Sequence, residues 1–431
     1  MVLAVVLVIF FACLLIGVPV VFSIVLASGV PILFDPRIGL NQMSSIIIQQ
    51  MRSFPLVAIP LYILVGRLLK VGGVTEDLVY ISRVLIGRVR GALAHVNVVT
   101  SIFFAGISGS SVADVATIGP VLIPAMKKQG YDAEFSATLT AASSTIGSII
   151  PPSILMIIYG AIAQTSIAAL FLAGIVPGVL VGLVQMGYSY AYARKHRIRE
   201  NEAVGEFAEI TRAMVVRALV RSIFPISIFF LIIVGITAGV FTPTEAAAVA
   251  VVYVGVVLTL VYKRRNWPEY LIEVKKAVVD ASVIYLLIAC ASFLAWVLTY
   301  YRVMLPILDA IKASDLGANG FLILLTLLYV VLGTFMEPAS AMLIVVPLLA
   351  PIVDLLQINP TVVGIVTVMA IRVGTVTPPY GLSALMAAKI AETTVLRMMK
   401  YILVFVVFYV LVVIALIFVQ DAILFLPNLL L

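Results

Sequence analysis

GISGSSVADVATIGPVLIPAM (Gly106–Met126) and ASSTIGSIIPPSILMIIYG (Ala142–Gly160) are the two stretches whose reading decides the fold. Each is a long apolar run interrupted by Gly, Ser and Pro. Glycine lets the backbone leave the helical basin, and proline removes a donor and frees a carbonyl one turn earlier. In a bilayer such exposed peptide groups cannot face lipid, so they have to be buried or line a polar cavity.

Both breaks recur 227 residues later as GTFMEPASAMLIVVPLLAPI (Gly333–Ile352) and VGTVTPPYGLSALM (Val373–Met386). Without a gap, Gly106 falls on Gly333, Pro120 on Pro347, Pro124 on Pro351, Gly147 on Gly374, and Pro151-Pro152 on Pro378-Pro379. Asp132 falls on Asn359, each at a position that suits a helix N-cap, and Pro360 then stands at the first helical position. A repeat at fixed offset sets the architecture before any motif does.

The composition supplies the solvent. Of 431 residues, 63% are hydrophobic and 11% charged, against roughly half and a quarter in soluble domains. That excludes a soluble enzyme, a disordered chain and a nucleic-acid binder, so the net charge of +7 reads as a record of membrane orientation. Cys13 and Cys290 lie in apolar runs and offer neither a disulfide framework nor metal spacing. The start of the chain lacks a basic n-region and is expected to be a retained helix. Candidate spans are 3–33, 54–72, 92–126, 132–162, 166–193, 223–241, 244–262, 277–300, 319–353, 360–390 and 397–420. The expected fold is an all-α polytopic membrane protein with inverted-topology repeats, in which 92–126 and 319–353 are re-entrant helical hairpins and 132–162 and 360–390 are discontinuous helices.

With the N-terminus placed in the cytoplasm and the hairpins returning to their side of entry, 22 of the 27 Lys and Arg collect on the cytoplasmic face. Arg37, Arg52, Arg302 and Lys312 fall opposite, Arg372 stays within the membrane, and the C-terminus is periplasmic. Residues 75–90 and 302–317, which match at the offset, thus lie on opposite sides, and the halves are inverted. The first repeat is read as 1–193, followed by a basic cytoplasmic connector with an amphipathic surface helix at 194–222 and an extra linking helix at 223–241. The second repeat is 244–420, and 421–431 is a C-terminal tail. Inverted repeats with broken helices are the architecture of secondary transporters, with ions and substrate held where the breaks meet.

Freed carbonyls with Ser and Thr hydroxyls are hard oxygen ligands suited to Na⁺. The first site is expected at Ser108, Ser110, Ser111, Gly147, Ile150 and Pro152, and the second at Gly333, Gly374, Thr377 and Tyr380. Helix N-termini at the two tips favour an anionic substrate, with Arg372, Ser111, Glu337 and Ser153 as substrate candidates. Arg372 either grips a carboxylate bidentately or pairs with Glu337 or another acid as a structural bridge. Glu337 either caps the helix that starts at Pro338 or acts as a tip carboxylate, and Asp114 complements the dipole of the helix after the first tip. Glu245 belongs to a helix start capped by Thr242 or Thr244, Arg67 and Lys70 snorkel, and Trp296, Tyr300 and Tyr301 form an interfacial anchor.

Taken together, these segments resemble the large membrane subunit of the TRAP transporters (tripartite ATP-independent periplasmic transporters), within the broader ion-transporter class. GVPVVFSIVLASG (Gly17–Gly29), FPLVAIPLYILVGRLLKVGGV (Phe54–Val74) and VFTPTEAAAVAV (Val240–Val251) carry the resemblance together with the four broken segments, over nearly the whole chain. The resemblance implies a Na⁺-driven importer of the bacterial inner membrane, with no organic cofactor, that moves its hairpin domain like an elevator against a scaffold. It also implies two partners, a small four-helix membrane subunit and a periplasmic solute-binding protein, and organic-acid substrates such as C4-dicarboxylates or sialic acids. Arg372 departs from the family pattern, which more often has an apolar or small residue there. The alternative is a related Na⁺/carboxylate symporter that needs no binding protein. An intramembrane serine protease built on Gly106-Ile107-Ser108-Gly109 is disfavoured, because neither His95 nor His196 sits on a separate membrane helix as a base for the serine.

Overall fold

The computed structural model describes residues 2–33, 35, 38, 40–87, 89–198, 211–264, 266–314 and 316–431. The described residues form twenty α-helices, with no strand among them. The first half contains α1 (Val2–Leu15), α2 (Val20–Leu33), α3 (Leu40–Met51), α4 (Ala58–Val71), α5 (Val74–Ile86), α6 (Ala92–Ser108), α7 (Ser111–Lys128), α8 (Ala133–Ser144), α9 (Ile154–Ala163) and α10 (Ile167–Lys195). The second contains α11 (Arg212–Thr237), α12 (Pro243–Leu260), α13 (Trp267–Tyr300), α14 (Met304–Ala313), α15 (Ala318–Phe335), α16 (Pro338–Leu355), α17 (Pro360–Val373), α18 (Leu382–Ala391), α19 (Val395–Phe418) and α20 (Gln420–Leu430). Eight segments, all but one of them a single helix, are long and apolar enough to cross a bilayer. The protein is an all-helical, multi-pass membrane protein.

The 227-residue offset carries α7 onto α16 end to end, α6 onto α15, α8 onto α17, α9 onto α18 and α10 onto α19. It also carries α3 and α4 together onto the single 34-residue α13; in the first half the same path bends at Phe54–Val57, a 3₁₀ turn with Pro55 in its first turn. α6 packs on α7 and α15 on α16, each pair turning at a tip of two residues. Between α8 and α9 the chain passes through a 3₁₀ turn (Thr145–Ser148) and the Pro151-Pro152 pair, and between α17 and α18 through Pro378-Pro379. Both proline pairs are joined by cis bonds.

Four expectations are corrected. The span 3–33 is two helices, because Gly17 adopts φ +83, which only glycine takes readily, and α2 turns back to pack on α1. The same offset sets α2 against α12 and α1 against the end of α11, so 223–241 is part of the counterpart of α1 rather than an extra helix. Helix α11 begins at Arg212, so residues 212–222 continue into it instead of forming a separate surface helix; residues 199–210 of the connector lie outside the described residues, as do Arg37, Arg88 and Arg265. Residues 421–431 are no loose tail: α20 packs on α10 with Ile423 and Pro427 buried.

The caps follow their sequences. Thr242 and Glu245 form a reciprocal capping box on α12, and Glu337 caps α16 by accepting from Ser340 N at 3.0 Å. Asn359 caps α17 through Thr361 N at 2.9 Å. Asp132 precedes α8, but its carboxylate makes no cap bond and accepts instead from Tyr401 Oη. Trp296, Tyr300 and Tyr301 do form one aromatic cluster.

Candidate functional site

The tip of the α6–α7 pair meets the break between α8 and α9. Gly109, at φ +60, lies so close to the break that a Cβ there would stand 3.0 Å from the Pro152 carbonyl oxygen. Ser111 Oγ lies 3.2 Å from Ser148 Oγ, and Ser153 Oγ donates to the Ser148 carbonyl at 2.6 Å while capping α9. Ser110 is the N-cap position of α7. Ser111, Gly147, Ile150, Pro152 and Ser153 are all buried. The expected members of the first cradle therefore come together; Ser108 ends α6, and its side chain lies outside the described residues.

Asp114, expected only to complement a helix dipole, is fully buried in the first turn of α7. A Cβ on Gly147 would lie 2.1 Å from its Oδ2, so the carboxylate occupies the space that glycine leaves at the break. The available signal was its register: it is an acid in an apolar helix whose counterpart at the offset is Ala341. The cradle thus combines hydroxyls, the backbone of the break and one carboxylate, a donor set that suits a hard cation.

In the second half the backbones touch. A Cβ on Gly374 would lie 1.9 Å from the carbonyl carbon of Gly333, and Tyr380 N donates to the Thr334 carbonyl at 2.9 Å. Thr377 Oγ1 donates to the Val373 carbonyl at 2.7 Å. Gly333, Gly374, Thr377 and Tyr380 are thus assembled at one tip-and-break junction. Arg372 stands one turn before the break, 8% exposed, with Nε lacking any hydrogen bond. Its electrostatic neighbours are Glu337, Tyr409 and Asp114, and it makes no direct ion pair among the described residues.

Polar side chains tie α6, the first arm of this pair, to the first broken helix. Asn97 Nδ2 donates to Thr140 Oγ1 at 2.7 Å, Ser143 Oγ donates to Asn97 Oδ1 at 3.2 Å, and Ser101 Oγ donates to Ser143 Oγ at 2.9 Å. A buried polar network satisfied in this way makes α6 and α8 one body. Facing the tip, across a cavity of about 430 Å³, are α4 and α13. Arg67 on α4 grips Asp280 on α13 with Nε and Nη2 and Glu273 with Nη1 at 3.0 Å. Lys70 lines the same cavity opposite Ser110 and Thr117.

Comparison with known proteins agrees with this architecture. Residues 7–422 match the family described as "Tripartite ATP-independent periplasmic transporter, DctM component". The sialic acid TRAP transporter permease protein SiaT of Haemophilus influenzae is 34% identical over 392 residues, 91% of this chain and 62% of its own length. The chain therefore spans less than two thirds of that relative. The C4-dicarboxylate TRAP transporter large permease protein DctM of Vibrio cholerae is 34% identical over 367 residues, 80% of each chain. Among solved structures, the Alcanivorax borkumensis YdaH transporter aligns with a TM-score of 0.64 at 15% identity, covering 91% of both chains, a likeness of fold. The relatives are transport permeases and not enzymes, and the chain belongs to the DctM family of TRAP transporter large permease subunits.

Proposed function

We propose that the chain is the membrane pathway of a Na⁺-coupled importer of small organic acids that receives its solute from a periplasmic binding protein and works beside a small four-helix membrane subunit. The observation that carries this reading is the paired tip-and-break junction, repeated at a fixed offset with buried oxygen donors. The sialic acid and C4-dicarboxylate relatives support a carboxylate as cargo. The cavity wall supports it too, since Lys70 offers a cation to a solute lying between α4 and the first tip.

In this reading Na⁺ is held at the first cradle by Ser110, Ser111, Gly147, Ile150, Pro152 and Asp114, and the junction at Gly333, Gly374, Thr377 and Tyr380 repeats its backbone arrangement. Serines 111 and 153, Glu337 and Arg372 remain the groups nearest a solute held at the tips. The α6–α7 and α15–α16 pairs enter the membrane and return, and with α8–α9 and α17–α18 they move as a unit against α4 and α13, which Arg67 ties together.

The orientation changes at one end. Because α1 and α2 turn back on each other, the N-terminus lies on the same side as residues 40–53, whether the pair crosses twice or dips and returns. Crossing α4 then puts Arg83 and Arg90 on the opposite, cytoplasmic side. The N-terminus is therefore assigned to the periplasm, with the C-terminus, in the inner membrane. Uptake of labelled carboxylates into proteoliposomes tests the function: transport requires an inward Na⁺ gradient and the binding protein. Equal uptake without the binding protein would identify a stand-alone symporter instead.

A further inference from the structure

The two junctions match in backbone but not in charge. At the first, Asp114 is the buried charge and the buried, uncharged Thr145 opens the 3₁₀ turn of the break. At the second, the offset puts Ala341 where Asp114 stands and Arg372 where Thr145 stands, while Glu337 takes the place of Ser110. Arg372 is buried, its Nε has no hydrogen bond, and the acids whose charge acts on it are Glu337 and Asp114. A guanidinium cannot shed its proton in a protein, so this charge is permanent.

We propose that Arg372 is a tethered cation that takes the place of a second coupling ion, so that the protein binds a single Na⁺, at the Asp114 junction. The inference rests on the Na⁺-coupled function proposed for the chain. The first junction carries a buried carboxylate and the second a buried guanidinium. A Na⁺ at the Gly333–Gly374 junction would instead face a fixed like charge in a medium that screens it poorly. The guanidinium lies at the carbonyl end of α17, where the helix dipole favours positive charge.

The test reads bound ions without transport. The permease complex is held in nanodiscs, and its thermal unfolding is followed as Na⁺ replaces K⁺ at constant ionic strength. The slope of stability against the logarithm of Na⁺ concentration counts the ions taken up by the folded state. Wild type and Arg372→Lys are expected to show the slope for one ion, and Arg372→Gln the slope for two. Equilibrium binding of radiolabelled Na⁺ to wild type gives the same count even where Arg372→Gln does not fold. Two ions in wild type, or one in Arg372→Gln, would overturn the tethered-cation role while leaving Na⁺ coupling intact. A wild-type protein indifferent to Na⁺ against K⁺ would overturn the coupled reading itself and the inference with it.

Discussion

Tyr159 Oη donates a hydrogen bond to the Pro360 carbonyl at 3.0 Å, joining the second segment of the first broken helix to the first turn of the other. The ring lies against Gly364, where a Cβ would stand 2.6 Å from Tyr159 Cε1. The two halves therefore interlock through their broken helices, α9 against α17, and not only through a shared lipid environment. Tyr159→Phe removes one buried hydrogen bond and keeps the packing, with an expected cost of about 1 kcal/mol. Gly364→Val forces a branched side chain into the ring and Leu170, and should cost more, roughly 1–3 kcal/mol. Thermal unfolding in detergent measures both; equal midpoints for the two variants would show that the ring contact contributes nothing.

The glycines at the breaks make a second prediction. Gly374→Ala drives a methyl group into the Gly333 backbone, which cannot rotate out of the way. Gly147→Ala drives one into Asp114 Oδ2. Both are expected to lose uptake, and Gly374→Ala also to destabilise by about 3 kcal/mol or more. Gly255→Ala, in α12 with nothing within 4 Å of the new atom, is the control, and there the helix gains up to ~1 kcal/mol. Normal uptake by Gly374→Ala would mean that the two junction backbones separate freely.

The breaks and their offset were legible because clustered Gly, Ser and Pro interrupt the helical ladder of an apolar run, and because the same spacing appears twice. The split of 3–33 was harder to read. Gly17 and Pro19 were its only signals, and an apolar run with one Gly near its middle reads as one helix. Asp114 was hidden for a different reason: its closeness to Gly147 depends on how α7 leans on the broken helix, a tertiary relation that spacing along the chain does not encode. Asp132 occupies the cap position that its residue type suggests, but Tyr401, 269 residues away in sequence, takes its carboxylate.

Arg67 anchors the third prediction. It meets Asp280 through two nitrogens and Glu273 through the third, and Lys276 Nζ also reaches Glu273 at 2.6 Å. Arg67→Ala leaves Asp280 without this partner while Lys276 still holds Glu273, so the expected loss is about 1–2 kcal/mol. Arg67→Lys recovers only part of it, because an ammonium lacks the fork. A double-mutant cycle with Asp280→Ala should show a coupling of roughly 1 kcal/mol; additive effects would mean that the α4–α13 clamp is not formed in the membrane.

The last prediction concerns pH. Burial works to raise the Asp132 pKa, but hydrogen bonds from Tyr401 and Tyr192 and the nearby positive charge of Lys400 outweigh it and hold the carboxyl below its usual value. A carboxyl depressed in the folded state adds stability that is fully present above its unfolded pKa of about 3.9 and is lost as pH falls through the lower folded value. The thermal midpoint of wild type should therefore fall on acidification through that window. Asp132→Asn, which has no proton to take up there, should lose less over the same interval while starting from a lower midpoint near neutrality. Tyr401→Phe removes one of the donors that favour the charged form, so it should move the acid-induced loss to higher pH. Wild type and Asp132→Asn falling in parallel with acid would show that the Tyr401–Asp132 bond, and with it the tie between α19 and the start of α8, carries no pH-dependent stability.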